Sequence, residues 1–219
     1  ISINLVKNST TPTILFPQSI SPLFTLRKDQ QQCIQTALNT DRGVIKAPTG
    51  SGKTVLIAAI ISSFPKAKIL FLCHTLSLLK QTQKEFNKYN LGPSSIVGGS
   101  KKDMSGRIII STIQSFSKLE LLNQWYNKFD IVFCDEPHHV STTSGLYAKI
   151  LTKLTTPRRY GFTATLPSSK EGQFALEGLI GPVIADFTIE EAINQEILAI
   201  PKIELISIPI CEAIRDMRK

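Results

Sequence analysis

The 219-residue sequence contains no long apolar run, and this absence limits the kind of protein that it encodes. No stretch approaches the roughly 18 apolar residues that a membrane-spanning helix needs. The beginning of the sequence also shows no basic segment followed by an apolar core and a cleavage site. Because it begins with Ile1 rather than Met, we expect a processed product or a fragment. Internal repeats and low-complexity tracts are missing as well, so the sequence predicts an ordinary globular protein without a membrane partner.

Cysteines are scarce and widely separated. Cys33, Cys73, Cys134 and Cys211 form no Cys-x-x-Cys motif. Cys73 and Cys134 stand in apolar runs typical of strands, where cysteine acts as a small core residue. This usage favours a reducing intracellular compartment, which is the cytoplasm (the host cytoplasm for a viral protein) or the nucleus of a eukaryotic cell.

Acidic residues are the minority among the charged side chains. There are 25 Lys and Arg against 17 Asp and Glu, which gives a net charge of +8 and an isoelectric point near 9.4. The excess favours a polyanionic partner such as nucleic acid, although a solubilising surface has the same composition. The length fits one large α/β domain with a substantial core.

Residues 47–54 form the motif around which the rest of the chain is organised. An apolar strand-like run, residues 43–47, precedes the motif and a helical run, residues 52–64, follows it, which is the arrangement of a phosphate-binding loop. The loop residues are Ala47, Pro48, Thr49, Gly50, Ser51, Gly52, Lys53 and Thr54. Gly50 and Gly52 allow backbone N–H groups to point at a phosphate, Lys53 supplies a cation for the β- and γ-phosphates, and Thr54 is placed to bind Mg²⁺. Ala47 departs from the general pattern, and a plain turn between strand and helix is the alternative.

Apolar runs of four to six residues alternate with longer helical patterns along the chain. Strands are predicted at residues 43–47, 68–73, 94–97, 108–111, 130–134, 159–164 and 183–187. Helices are predicted at residues 26–39, 52–64, 74–89 and 112–125, and residues 100–107 are predicted to be a basic loop. Helical spacers of ten or more residues require crossover connections between parallel strands. The fold class is therefore α/β, with a mostly parallel central sheet and helices on both faces.

Two acids follow the fifth predicted strand immediately. Ligand sites in parallel sheets collect at the carboxyl ends of strands, so Asp135 and Glu136 are expected to face the phosphate loop. Asp135 would hold Mg²⁺ and Glu136 would polarise the attacking water, with Lys53 completing the catalytic set. Acids that open a helix are the alternative explanation.

Residues 47–54 together with residues 135–139 resemble motifs I and II of superfamily 2 helicases of the DExH subgroup, in which Ala47 is usual. The resemblance continues in family order and extends to the XPB-like and UvsW-like DNA helicases. It implies a RecA-like domain that uses ATP and Mg²⁺, in which Arg27 and Gln30 lie in the adenine-recognition motif and His138 links the nucleotide site to the rest of the motor. His139 adjoins His138, and an exchange of their roles stays open.

The resemblance also implies a nucleic-acid edge and a coupling motif. Residues 74–81 are similar to motif Ia, with His74 in place of the usual proline, and residues 161–167 are similar to motif III. The nucleic-acid contacts are expected at Thr75, Gln81, Gly98, Gly99, Thr112 and Gln114, strengthened by Lys101, Lys102 and Arg107. Coupling is expected at Thr163 and Thr165. Helix caps, a plain glycine turn and a solvated basic loop are the alternatives.

The predicted domains follow from the same resemblance. Residues 1–25 form an N-terminal arm, residues 26–200 form the first RecA-like domain, and residues 201–219 begin the linker to a second RecA-like domain in cis, which this chain lacks. The family's arginine fingers come from that second domain, so this chain alone is expected to bind ATP but to hydrolyse it slowly. The expected function is an ATP-dependent helicase or translocase on nucleic acid, with DNA favoured over RNA. An RNA helicase, a restriction-enzyme motor subunit, a non-enzymatic ATP-binding clamp and a small-molecule P-loop kinase stay open.

Overall fold

The architecture comes from a computed structural model, which describes residues 19–21, 24–118, 121–139, 145–202 and 204. The expected N-terminal arm lies almost wholly outside these residues, apart from a short antiparallel pair, β1 (Ser19–Ser21) and β2 (Phe24–Thr25). Most of the expected linker, Cys211 included, also lies outside them.

One eight-stranded sheet forms the centre of the domain. Its strands are β3 (Arg42–Lys46), β4 (Ile69–Cys73), β5 (Ser94–Gly98), β6 (Lys101–Lys102), β7 (Ile108–Thr112), β8 (Ile131–Asp135), β9 (Arg158–Thr163) and β10 (Val183–Asp186). Their order across the sheet is β10-β3-β9-β8-β4-β7-β5-β6, and every pair is parallel except β5 with β6. The carboxyl ends of seven strands therefore meet at one edge of the sheet.

Helices cover both faces of this sheet. They are α1 (Lys28–Leu38), α2 (Lys53–Ser62), α3 (Leu76–Lys88), α4 (Ile113–Lys118), α5 (Leu121–Trp125), α6 (Leu146–Leu151), α7 (Lys170–Leu179) and α8 (Ile189–Asn194). Alternation along β4 shows the two layers. Ile69, Phe71 and Cys73 pack with α1, α2 and α3, whereas Leu70 and Leu72 pack with α4, α6 and α7. Helix α2 is buried along residues 55–61, because it lies between the sheet and its two neighbouring helices.

The predicted fold class is confirmed, and all seven predicted strands are present. One local prediction is wrong. The basic loop contains β6, which pairs with β5 through a tight turn at Gly99, whose φ of +60° suits glycine. Helices α4 and α5 fall within the single helix expected over residues 112–125, and residues 119 and 120 between them lie outside the described residues. In the part of the chain that the structure describes, no helix is long and apolar enough to cross a membrane.

Candidate nucleotide and nucleic-acid site

The phosphate loop joins the carboxyl end of β3 to the first turn of α2. Gly50 and Gly52 both adopt positive φ angles, +84° and +99°. The positive φ at Gly52 favours glycine, and a β-carbon there would also lie 2.8 Å from the side-chain Nε2 of Gln30 and displace it. The buried Ser51 donates its hydroxyl proton to the Pro48 carbonyl at 2.7 Å, while Thr49 and Gly50 are exposed at the tip. This cradle has the shape that backbone capture of a phosphate requires.

Arg27 and Gln30 brace the loop from the start of α1. The Arg27 guanidinium donates to the Ser51 carbonyl at 2.9 Å and forms two hydrogen bonds with Asp29, at 2.9 and 3.1 Å. Gln30 is 3% exposed and accepts a hydrogen bond from the Arg27 backbone N–H at 3.2 Å. Gln30 also lines a cavity of about 350 Å³ between α1, β3, β10 and α8. The residues expected to recognise adenine are thus in direct contact with the phosphate loop.

Lys53 and Glu136 form an ion pair across the site. The Lys53 ammonium lies 3.0 Å from Glu136 Oε1 and 3.3 Å from the Ala47 carbonyl. Burial alone would raise the pKa of Glu136, but the hydrogen bond and charge of Lys53, together with Thr163, hold this pKa below its usual value. Glu136 is therefore ionised at neutral pH.

His138 and Thr163 meet Glu136 from its other side. Glu136 Oε2 lies 3.0 Å from His138 Nδ1 and accepts a hydrogen bond of 3.0 Å from the Thr163 hydroxyl. His138 Nδ1 and Thr163 Oγ1 are themselves 2.9 Å apart. Thr163 is fully buried, whereas Thr165 is exposed and its backbone contacts the Thr163 hydroxyl. The motif III threonine is thereby joined to the carboxylate of motif II, and the side chain of His139 lies outside the described part of the structure.

Asp135 and Thr54 provide oxygen atoms on the same side as Lys53. A cavity of about 440 Å³ is lined by the phosphate loop, by both acids and by the α2 and α3 residues between them. Burial, followed by the neighbouring charge of Glu136, raises the pKa of Asp135 to about 6. A bound cation would offset both the burial and the charge of Glu136, and would therefore lower this pKa again. Carboxylate and hydroxyl oxygens are the ligands that Mg²⁺ prefers, so these residues fit the metal that the sequence predicts.

The predicted nucleic-acid residues fall into two places. Thr75, Gly98 and Thr112 lie at the carboxyl ends of the neighbouring strands β4, β5 and β7, and Gly99 and the exposed Gln114 adjoin them. We call this group the strand-end edge. Gln81 instead lines the cavity between α2 and α3 that contains Lys53 and Glu136.

Both threonines of the strand-end edge are helix caps. Thr75 Oγ1 accepts the Leu78 N–H at 3.2 Å at the start of α3, and Thr112 Oγ1 accepts the Ser115 N–H at 3.2 Å at the start of α4. Thr75 is exposed, but Thr112 is only 4% exposed. Capping uses one lone pair of each hydroxyl, so capping and a phosphate contact are compatible at Thr75.

The expected contribution of Arg107 to nucleic-acid binding is wrong. Arg107 lies at the opposite edge of the sheet, before β7, and its guanidinium donates to the Phe64, Ala67 and Leu91 carbonyls. Lys101 and Lys102 remain exposed on β6, where Lys101 pairs with Gly98 at the strand-end edge. Arg107 therefore stabilises the chain segments that carry these carbonyls. Of the three basic residues expected here, Lys101 and Lys102 alone add charge near the strand-end edge.

Two contacts of the site involve residues that belong to no sequence motif. The hydroxyl of Tyr147, in α6, donates to the Asp135 carbonyl at 2.9 Å and lies 3.3 Å from His74 Nε2. Leu198, after α8, comes so close to Gly50 that a β-carbon there would lie 3.2 Å from its side chain. Both residues look like ordinary apolar or helical positions in the sequence.

The family comparison matches most of the domain. A family model described as "Type III restriction enzyme, res subunit" covers residues 23–168, more than half of the chain. The chain is 30% identical over 187 residues to the "DNA 3'-5' translocase XPB2" of Sulfurisphaera tokodaii, a match that covers 85% of this chain and 41% of that protein. It is 33% identical over 165 residues to "Putative helicase 22" of a Sulfolobus islandicus filamentous virus, which covers 68% of this chain and 28% of that protein. The chain thus spans less than half of either relative.

Solved structures support the same fold. The UvsW helicase of bacteriophage T4 superposes with a TM-score of 0.64 at 19% identity, covering 74% of this chain and 60% of that one. The type ISP restriction-modification enzyme LlaGI, solved with a DNA substrate mimic, also gives a TM-score of 0.64, at 22% identity, covering 80% of this chain and 21% of that one. At these identities the likeness concerns the fold.

Proposed function

Because the chain belongs to the type III restriction enzyme res subunit family and contains a first motor domain of superfamily 2 helicases, we propose that its parent protein is an ATP-dependent DNA helicase or translocase. The domain boundaries at residues 26–200, the following linker and a second RecA-like domain in cis are part of this proposal. The second domain is supported by the two relatives, because the match with this chain covers less than half of the length of each. An intracellular location, in cytoplasm or nucleus, is proposed with it.

The observation that carries the proposal is the connected group of Lys53, Glu136, Thr163 and His138. These residues come from three motifs of the sequence, and Lys53, His138 and Thr163 each lie within about 3.0 Å of Glu136. Motifs I, II and III of the resembled family therefore meet at one carboxylate. Neither a small-molecule kinase nor a passive clamp would need the contact that joins Thr163, at the end of β9, to the proposed ATP site.

The nucleotide is proposed to be ATP with Mg²⁺, held mainly by the phosphate loop. Backbone N–H groups of residues 49–54 and the Lys53 ammonium bind the phosphates, while Thr54 and Asp135 hold the cation. Bound Mg²⁺ would neutralise charge that develops on the transferred phosphoryl group. When nucleotide binds, Lys53 breaks its ion pair with Glu136 and pairs with the phosphates instead. The Glu136 carboxylate can then contact the attacking water.

Glu136 is proposed as the general base. The His138 and Thr163 contacts fix the direction of one oxygen, while the other is paired with Lys53 until nucleotide binds. The carboxylate accepts a proton from the attacking water. Gln30 and its adjoining cavity are proposed to receive the base of the nucleotide.

The strand-end edge is proposed to bind the polynucleotide backbone. Its hydroxyl, amide and glycine N–H groups suit phosphates rather than base edges, so binding is expected to be insensitive to sequence. The net charge of +8 supports a polyanionic ligand. DNA is favoured because a relative is named a DNA translocase and a structural neighbour was solved with a DNA mimic. Within this class, the family description favours a restriction-enzyme motor as the second candidate.

Triplex displacement tests the proposal with the full-length protein. A motor that moves along duplex DNA is expected to strip a third strand in the presence of ATP, and Glu136→Gln is expected to bind ATP and DNA without displacing it. Strand separation on a forked duplex then distinguishes a helicase from a translocase. A protein that binds both ligands but performs neither reaction would be a clamp, and the proposal would be wrong.

A further inference from the structure

The peptide group that joins Asp135 to Glu136 is held at both of its polar atoms. The Glu136 N–H donates to the Phe162 carbonyl at 2.8 Å, and the Asp135 carbonyl accepts the hydroxyl proton of Tyr147 at 2.9 Å. Glu136 also has a φ of +51°, which is unfavourable for a side chain of its size. A rotation of this peptide would turn both carboxylates, so its two hydrogen bonds control the geometry of the proposed metal ligand and base together.

Tyr147 connects that peptide to the strand-end edge. Its hydroxyl lies 3.3 Å from His74 Nε2, and the two rings meet edge to face with centroids 5.4 Å apart. The hydroxyl has one proton, which goes to a carbonyl that can only accept. Both contacts are therefore hydrogen bonds only if His74 Nε2 carries a proton and donates it to the Tyr147 oxygen.

His74 stands at the junction of the two proposed ligand sites. It follows β4 directly and precedes Thr75, the exposed cap of α3 in the strand-end edge. Strands β4 and β8 are neighbours in the sheet, so His74 and Asp135 lie at adjacent strand ends. The usual proline of motif Ia could not donate a hydrogen bond here. The departure from the motif thus coincides with a contact to the catalytic segment.

We propose that His74 and Tyr147 are positioning residues that transmit the binding of polynucleotide at the strand-end edge to the Asp135–Glu136 peptide. This inference rests on the proposed function. A phosphate bound at Thr75 shifts the β4–α3 turn, His74 moves with it, and the Tyr147 hydroxyl changes the orientation of the peptide. Tyr147 is 4% exposed, so its ring cannot reach nucleotide or polynucleotide itself.

The test compares the ATP turnover of the full-length protein with and without duplex and single-stranded DNA. Tyr147→Phe and His74→Leu are each expected to lower the stimulation by DNA, which is the ratio of turnover with DNA to turnover without it, about 2- to 30-fold. The double variant is expected to lose no more than the stronger single variant, because both remove one pathway. His74→Gln keeps an N–H donor and is expected to retain most of the stimulation.

Tyr160→Phe is the matched control for a merely structural effect. Tyr160 is also buried, and its hydroxyl lies within hydrogen-bond distance of the backbone carbonyls of Ala37 and Thr40, at 2.9 and 2.7 Å. It is expected to keep full stimulation. Stimulation that is unchanged in Tyr147→Phe and His74→Leu would overturn the inference alone, as would losses that multiply in the double variant or an equal loss in Tyr160→Phe. Absence of stimulation in the wild-type protein would overturn the proposed function and this inference with it.

Discussion

At the scale of single residues, Lys53 shows how one side chain serves two states of the site. Its ammonium is paired with Glu136 in this structure, at 3.0 Å, and that pair is only partly exposed. Phosphates offer the same cation a stronger partner, with several charged oxygen atoms. Because Lys53 exchanges one partner for the other, we propose that Glu136 is released to act as a base only when nucleotide is bound.

Replacing Lys53 by Ala is expected to weaken binding of Mg²⁺–ATP about 10- to 100-fold, since the charge-assisted hydrogen bonds from its ammonium to the phosphates can no longer form. Isothermal titration measures the change. Lys153→Ala is the control, because Lys153 is exposed and lines neither of the two described cavities. Equal affinity in Lys53→Ala and the wild-type protein would contradict the assignment of the phosphate loop.

Glycine at position 52 is favoured by its positive φ, and a larger residue there would also displace the Gln30 side chain. Gly52→Ala is expected to lower the free energy of unfolding by about 1–3 kcal/mol, because φ is +99° and the new methyl group would meet Gln30 at 2.8 Å. Gly178→Ala in α7 is expected to raise it by about 0.5–1 kcal/mol, because no atom lies within 4 Å of the added group. Urea unfolding of both variants decides whether the loop is strained as described.

At the scale of elements, the start of α3 combines a structural and a proposed binding role in Thr75. Thr75→Asp preserves the cap, since aspartate is among the best N-cap residues, but places a negative charge beside the bound phosphates. We expect a thermal transition close to that of the wild-type protein and DNA binding at least about 5-fold weaker. Fluorescence anisotropy with a labelled duplex measures the affinity.

Ser169→Asp provides the same change at another helix. Ser169 caps α7 by accepting the Gly172 N–H at 3.1 Å, beyond the strand-end edge. Its affinity for DNA is expected to match that of the wild-type protein. If both variants bind DNA normally, Thr75 is only a helix cap.

The short strand β6 places two exposed lysines beside the strand-end edge. Replacing both Lys101 and Lys102 by Ala is expected to reduce the slope of log affinity against log salt by about one to two, one for each phosphate that a lysine no longer neutralises. The measurement is a salt titration of duplex binding. Lys118→Ala with Lys128→Ala, two exposed lysines away from β6, is the control. An unchanged slope in the β6 variant would remove these lysines from the binding surface.

Local patterns predicted the elements better than their connections. Apolar runs such as residues 68–73 identified the strands, since a strand buried on both faces has an unbroken apolar sequence. The strand order could not be predicted in the same way. Placing β10 beside β3 depends on contacts between residues 140 positions apart, such as the Lys46–Asp186 ion pair. β6 was missed because two lysines do not resemble a strand until β5 pairs with them.

The candidate site divides along the same line. Lys53, Thr54, Asp135 and Glu136 were predicted by residue type and position, because phosphate and Mg²⁺ chemistry restricts both. Arg107 was misassigned because its charge alone does not show which way the guanidinium points. Tyr147 carries no motif, and only the packing of α6 against β8 brings its hydroxyl to Asp135.

At the scale of the whole molecule, the described domain is proposed to supply one side of a nucleotide site. Its phosphate loop, base and proposed metal ligands all come from one end of the central sheet, while arginine fingers are proposed to come from a second domain. This chain by itself is therefore expected to bind Mg²⁺–ATP and to turn it over about 10³-fold or more slowly than the full-length protein with DNA. Turnover of the isolated chain at the rate of the full-length protein would contradict this division of the site.

The central claim is that ATP hydrolysis in this site responds to polynucleotide. The most direct measurement is the ATP turnover of the full-length protein with and without single-stranded and double-stranded DNA and RNA, beside Glu136→Gln and the isolated chain. We expect DNA to raise the rate more than RNA does, and Glu136→Gln to lower the stimulated rate about 10²- to 10⁴-fold while ATP still binds. A rate that no polymer changes, despite bound ATP, would contradict the motor and favour a clamp or a kinase.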